Sequence, residues 1–263
     1  MGLACQIIIG QAEKTEEAGA FKELTPGVGD SFTVSNFPFE NPTYLDQVWA
    51  QVVGGVASSR IRSPRMHDDA QGIRLVHPVN SSPVLPDMAD QLLYPGDTLI
   101  IEGAATEKEK AIVVALQNYY TNLPGIDARL AQWSEVQPRI QNIAGVQITE
   151  VTSAVRGWGV GKALTSSFNT LKSSTDYAIL GYTTSVLTTA LRVIGPDTGN
   201  LGIGGPGILD PRITADWFAR QSRLTGRPYV PIIASNNAGA TLVSVAATTE
   251  VKPNVTLILA ELG

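Results

Sequence analysis

Residues 98–117 read TLIIEGAATEKEKAIVVALQ: an apolar run, a charged tip at 106–110 and a second apolar run. Short runs rich in Ile and Val around a polar tip have the pattern of a β-hairpin with a solvated turn. The stretch recurs. Residues 241–260, TLVSVAATTEVKPNVTLILA, align on it without a gap, Thr98 on Thr241, at a constant offset of 143. Thr98, Leu99, Ala104, Thr106, Glu107 and Leu116 are matched by Thr241, Leu242, Ala247, Thr249, Glu250 and Leu259. Ordinary residue frequencies give about one or two chance identities in such a window.

A second echo lies upstream. Arg60, Pro64, Gly72 and Ile73 are answered by Arg192, Pro196, Gly202 and Ile203, at an offset of 132 at the proline and 130 at the glycine. Two echoes in the same order imply a duplicated, domain-sized unit whose copies differ by loop insertions. The expected division is an N-terminal arm at 1–26, a first sandwich at 27–123, a helical connector at 124–143 and a second sandwich at 144–263.

The pattern along the chain fits two β-rich halves. Residues 31–36 alternate, with Phe32 and Val34 on one face. Residues 44–53 (YLDQVWAQVV) space Leu45, Trp49 and Val53 by four, so helix and strand compete there, and the sister segment 177–183 favours strand. Further strands are expected at 59–63, 72–79, 146–151, 176–183, 189–194, 229–234, 241–246 and 255–262. Two helices interrupt them. One runs over 127–136, capped by Asp127, with Leu130 and Trp133 on one face. The other, 215–224, is capped by Thr214, stopped by Gly226 and Pro228, and carries Trp217, Phe218, Gln221 and Leu224 on one stripe. Many strands and only two short helices predict an all-β protein: two tandem antiparallel β-sandwiches, each a jelly roll of about eight strands.

Composition narrows the function classes. With 263 residues the chain buries a substantial core, and only 16% of them are charged. The net charge of −5 argues against a nucleic-acid binder working through a basic face, so no specific nucleic-acid binding is expected. Cys5 is the single cysteine, so no intramolecular disulfide forms. The apolar run 3–9 is too short to span a bilayer and lacks the basic start of a signal peptide, and Gln6 breaks the myristoylation pattern. A soluble, non-secreted chain is expected.

No motif carries chemistry through. Residues 202–207 (GIGGPG) satisfy G-x-G-x-x-G, but Pro206 and Pro211 stand where a phosphate-binding helix has to open. Residues 157–162 (GWGVGK) resemble a phosphate loop, yet the upstream glycine is missing and Ala163 replaces the magnesium-holding hydroxyl. They read as a glycine segment with an exposed Trp158 that touches a neighbouring subunit. Met66, His67, Asp68 and Asp69 offer metal ligands, but the only other histidine, His77, has no aligned partner in the second half. Asn80 and Asn254 fit the glycosylation pattern, which has little meaning without secretion. No catalytic, cofactor-binding or metal-binding residue is therefore expected, and neither a cofactor nor an enzymatic activity.

A tandem of two jelly rolls with helices at 127–136 and 215–224 and no catalytic signature resembles the double jelly-roll major capsid proteins, the lineage linking adenoviruses with tailless, membrane-containing bacteriophages. The resemblance covers about residues 27–262 and is architectural, so no single residue is carried over. It implies a homotrimer of pseudo-hexagonal outline that tiles an icosahedral shell, in a virion assembled in the host cytoplasm. The implied partners are neighbouring capsid trimers, a penton or vertex protein and, in some such viruses, an inner membrane. Loops at 80–96, 153–174 and 195–212 would form towers or seams, and the N-terminal arm would face inward. Two alternatives stay open: a carbohydrate-binding or adhesive sandwich with Trp158 as its aromatic platform, and a double-barrel cupin metalloenzyme, which the two histidines disfavour. The tailed-phage capsid fold needs a long spine helix that the sequence lacks.

Overall fold

A computed structural model of the protein describes residues 2–15, 18–34, 42–52, 56–64, 70–77, 91–121, 123–166 and 171–263. The first half runs through β1 (Ala4–Ala12), β2 (Lys22–Glu23), β3 (Thr25–Pro26), β4 (Thr43–Val52) and β5 (Ala57–Arg62). It continues with β6 (Ile73–His77), β7 (Gln91–Leu93), β8 (Ile100–Ala105) and β9 (Ile112–Tyr120). These form two sheets, ordered β3-β1-β9-β4-β7 and β2-β8-β5-β6.

The second half opens with β10 (Leu130–Ala131), α1 (Trp133–Val136), β11 (Ile140–Ile148), β12 (Ala154–Val155), β13 (Gly157–Trp158) and β14 (Lys162–Ala163). Then come β15 (Asp176–Thr184), β16 (Ala190–Ile194), β17 (Ile203–Pro206), α2 (Pro211–Thr214) and α3 (Trp217–Thr225). It closes with β18 (Val230–Ala234), β19 (Leu242–Ala247) and β20 (Val255–Leu262). Its sheets are ordered β10-β18-β15-β20-β11 and β12-β13-β19-β16-β17, with β14 also on β19. Strand for strand, β11, β20, β15 and β18 repeat β1, β9, β4 and β7. Likewise β12–β14, β19, β16 and β17 repeat β2, β8, β5 and β6. The protein is two jelly rolls of the same topology.

The sequence echoes fall on equivalent strands: β8–β9 on β19–β20, and β5–β6 on β16–β17. In β8, however, the gapless register is one residue out. Ile61 pairs with Ile101 in the first core and Val193 with Val243 in the second, so Ile101 corresponds to Val243, at 142 rather than 143. A one-residue slip exchanges the two faces of a strand. The identity of Leu99 with Leu242 therefore joins a buried side chain to a half-buried one.

The four sheets stack as layers. One core lies between the first roll's sheets, built on Ile8, Val48, Ile61, Ile101 and Val114. Another lies inside the second roll, on Ile179, Leu191, Val245 and Leu257. A third, between the rolls, joins Ile7, Ile9, Trp49, Val113 and Ala115 to Trp158, Ala190 and Ala246. Consequently β9 is buried at every position, which explains its apolar run from Ile112 to Leu116. The helical spacing within 44–53 has the same cause. A bulge at Asp46 and burial on both faces put Leu45 in one core and Trp49 in another.

Several expectations are corrected. The arm expected over 1–26 is overturned: β1 pairs along its whole length with β9, Ala4 opposite Tyr120 through Ala12 opposite Ile112, inside a sheet. The apolar run 3–9 that is too short for a membrane is the right length for a doubly buried strand. The helix expected over 127–136 shrinks to α1. Leu130 and Ala131 are taken up by pairing with Pro231 and Val230, and the helix starts after Gln132, whose backbone N–H donates to Glu135 (2.9 Å), not after Asp127. Two strands of the second roll, β10 at Leu130 and the start of β11 at Ile140, lie inside the expected connector. The helix at 215–224 is α3, entered at Asp216, while Thr214 closes α2 and Leu224 is 50% exposed, off the buried stripe. Gly226 ends α3 in the left-handed conformation, φ 69°. Among the described residues no helix is long and apolar enough to cross a membrane.

Candidate functional site

The junction between the rolls gathers the buried polar side chains that interrupt the apolar strands. At one end the Tyr229 hydroxyl donates to the Asp46 carboxylate and accepts from Gln117 Nε2. Gln117 Oε1 in turn accepts from Gly204 N (3.2 Å), and Gln47 Nε2 donates to Gln221 Oε1 (2.6 Å). Tyr229 stacks on Tyr119 with ring centroids 6.0 Å apart, and the Arg227 guanidinium lies 4.9 Å from the Tyr119 ring and 4.0 Å from Asp46 Oδ1. Burial, reinforced by the Asp46 charge, pushes Tyr229 far above the ordinary phenol range, so it stays a donor. Cys5 sits here too. Burial raises its thiol well above the usual range, which leaves it inert.

The other end is a second polar knot. Asp30 reaches from the first roll and accepts from Trp158 Nε1 (2.8 Å) and from Ile9 N (2.9 Å) through Oδ2. Arg192 stacks over the Trp158 ring at 4.2 Å, lies 3.6 Å from Asp30 Oδ1, and donates from Nε to Ser244 Oγ (3.0 Å). Burial raises the Asp30 carboxyl, against the opposing pull of Ile9 N–H, Trp158 and Arg192. Ile7 N also donates to Gly202 O (2.8 Å), and Thr189 Oγ1 to Gln51 Oε1 (2.8 Å), so hydrogen bonds cross the junction along its length. An apolar centre with hydrogen-bonded polar groups at both ends fixes the register of one roll on the other, although Gln47 Oε1 is buried without a hydrogen bond among the described residues. Among the described residues it is a closed interface between two packed sheets.

The sequence motifs are placed as follows. Residues 202–207 contain strand β17, where glycine is needed for close packing. A Cβ on Gly204 would collide with Leu191 O, and one on Gly205 with Tyr182 Oη while sitting 2.6 Å from Trp217 Nε1. The β17 carbonyls are also used: Pro206 O accepts from Tyr182 Oη (2.9 Å) and Gly204 O from Trp217 Nε1 (3.1 Å). Gly205→Ala should therefore destabilise the second roll by about 1–3 kcal/mol through overpacking, read from denaturant unfolding. Full stability in that variant would refute the close-packing account.

Trp158 is not exposed. It is 7% accessible and sealed between the rolls, so it forms no sugar platform and no contact surface for a neighbour. His67 and residues 66–69 lie outside the described residues, as do Asn80 and 80–90 of the expected loop 80–96. His77 points into the first core against Ser59 Oγ (2.7 Å). The tip at 106–110 is tied down by Thr15, whose N–H donates to Lys110 O (2.8 Å) and whose hydroxyl donates to Glu107 O (3.1 Å). Asn254 Oδ1 accepts from Glu150 N (3.0 Å) and bridges two loops. A cleft of about 220 Å³ at the edge of the second roll is lined by Asn142, Leu171, Lys172, Tyr177 and Glu261. Its two charges neutralise each other at 2.6 Å.

No protein-family model matches the chain, and no curated protein does. Among solved structures, YhaK from Escherichia coli overlays with a TM-score of 0.23 at 10% identity, covering 97% of this chain and 85% of that one. The STIV major capsid protein overlays with a TM-score of 0.22 at 9% identity, covering 98% and 97%. At these values neither overlay carries an argument about function. The assignment of two jelly rolls rests on strand order and register alone.

Proposed function

We propose that this chain is a structural capsid subunit, three copies of which close into a trimer of pseudo-hexagonal outline that tiles a virus shell. The observation that carries the reading is the way the rolls meet inside the chain. They join head to tail, the β1-β9-β4 face of the first against the β13-β19-β16-β17 face of the second. A contact between two unlike faces leaves one face of each kind free and repeats until a ring closes. Two rolls per chain and three chains give a ring of six similar units, the shape that tiles a sheet. Neighbouring trimers, a vertex protein and, in a membrane-containing virion, the lipid layer would be the further partners. The low charged fraction suits surfaces that end covered by neighbours. The test is the mass of the native assembly by light scattering, with negative-stain imaging of the purified chain. Trimers of hexagonal outline or closed shells are expected, and a clean monomer at every concentration overturns the reading.

A further inference from the structure

The sheet face that receives the first roll inside the chain has a twin. In the second roll, Arg192 of β16 stands over the Trp158 ring and faces Ser244 of β19 across the ladder. In the first roll the corresponding strands are β5 and β8. There Arg60 faces Glu102 and its guanidinium lies 4.8 Å from the ring of Phe21, just ahead of β2. An arginine on an aromatic ring thus stands at the same place in the same sheet of both rolls. One of these seats is filled by the other roll. At the other, Val76 of β6 is 66% exposed on the same face as Arg60.

The face that fills a seat has a twin as well. In the second roll, β11, β20 and β15 repeat β1, β9 and β4. One end of their outer face is covered by Val136 and Trp133 of α1, packed on Ala178, Ala260 and Leu262. The other end carries Ile143, Gly145, Gln147, Thr256 and Ile258, without a charged side chain, and Ile143 is 51% exposed. This matches the uncharged face of Ile7, Ile9 and Trp49 that docks inside the chain.

We infer that the open β11-β20-β15 face of one copy of this chain seats on the β2-β8-β5-β6 face of the next. The contact repeats between chains the one that joins the rolls within a chain, and the inference rests on the proposed reading that the chain assembles with itself. Part of the charge at the seat is already compensated within the chain. Burial pulls Glu102 up, but Arg60 and Arg62 outweigh it and hold the carboxyl below its usual range. Two of the three arginines on this face therefore already share a carboxylate, while Arg74, opposite Arg60 in the ladder, lies 5.7 Å from the Phe21 ring and donates to Gln71 Oε1 (2.9 Å). Each chain then offers one surface of each kind, at opposite ends of its stack of four sheets.

Val76→Lys and Ile143→Lys test this, because both positions are exposed and folding is not at stake. Each variant alone should weaken self-association at least ~10-fold in sedimentation velocity, since a lysine would be buried unpaired at the contact. Mixed one to one, they should give pairs and nothing larger, because only one intact junction forms between the good face of each. The inference is overturned by either variant assembling like the parent chain, or by the mixture regaining full-sized assemblies. A parent chain that never leaves the monomer overturns the capsid reading together with it, whereas normal assembly of both variants overturns the docking faces alone.

Discussion

Trp49→Ala is expected to destabilise the protein by about 3–5 kcal/mol and to split one unfolding transition into two. Trp49 is fully buried, yet it belongs to neither roll's own core. It stands in the third cluster, between Ile7 and Ile9 on one side and Ala190 and Ala246 on the other. Truncation leaves a void that neither sheet can collapse into without breaking its ladder. Both inner cores stay filled, so each roll keeps its own cohesion and loses its coupling to the other. Trp49→Phe should recover most of the loss. The indole Nε1 has no hydrogen-bond partner among the described residues, so removing it forfeits packing but no bond. Trp158→Phe should behave differently, because its Nε1 is bonded to Asp30 and the carboxylate would lose a buried donor. Calorimetry and denaturant titration on the three variants check this. A single transition in Trp49→Ala, or equal costs for the two Phe variants, contradicts the coupling role.

The strands of the second half were legible because their residues alternate or run apolar between glycine and proline punctuation. The six expected there appear within a few residues of β11, β15, β16, β18, β19 and β20. Where the reading failed, a tertiary contact had overridden a local pattern. Residues 3–9 read as a span too short for a membrane because nothing local says that a partner, β9, lies more than a hundred residues away. Residues 130–131 read as helix because strand pairing to β18 leaves no mark in the local sequence. The echo of 98–117 in 241–260 pointed to the right hairpins while placing the first strand one residue out, since identities do not register which face a side chain takes.

The junction was not legible as a site. Asp46, Gln47, Gln117 and Asn118 did leave a signal: polar residues inside apolar strands, which have to find partners once buried. The partners themselves, Tyr229, Gln221 and Gly204, come from the far half of the chain, and spacing along the sequence does not bring them together. Trp158 misled for a related reason. A tryptophan among glycines looks exposed, but those glycines let backbone close on backbone: a Cβ on Gly159 would collide with Thr152 O.

Acidification from pH 6.5 to 4 is expected to remove about 3 kcal/mol of folding stability through His77 alone. Burial lowers this imidazole from 6.5 to about 4; it bonds Ser59 through Nε2, and Nδ1 has no partner among the described residues. Above pH 6.5 the ring is neutral whether folded or unfolded and costs nothing. Between 6.5 and 4 the unfolded chain binds a proton that the folded chain refuses, so stability falls as pH falls through that window and levels off below it. Asp30 works with the opposite sign, because burial raises its carboxyl and the folded state holds that proton longer. The carboxylates of Glu102 and Asp176, held low by their arginines, lose their contribution only at more acid pH. Substitution separates the imidazole from these carboxylates. Its ring resonance should titrate near 4 by NMR, and His77→Gln should flatten the unfolding free energy between pH 6.5 and 5. An imidazole titrating near 6.5, or an unchanged slope in the variant, would show that the ring is solvated and that the first roll's core is open at this end.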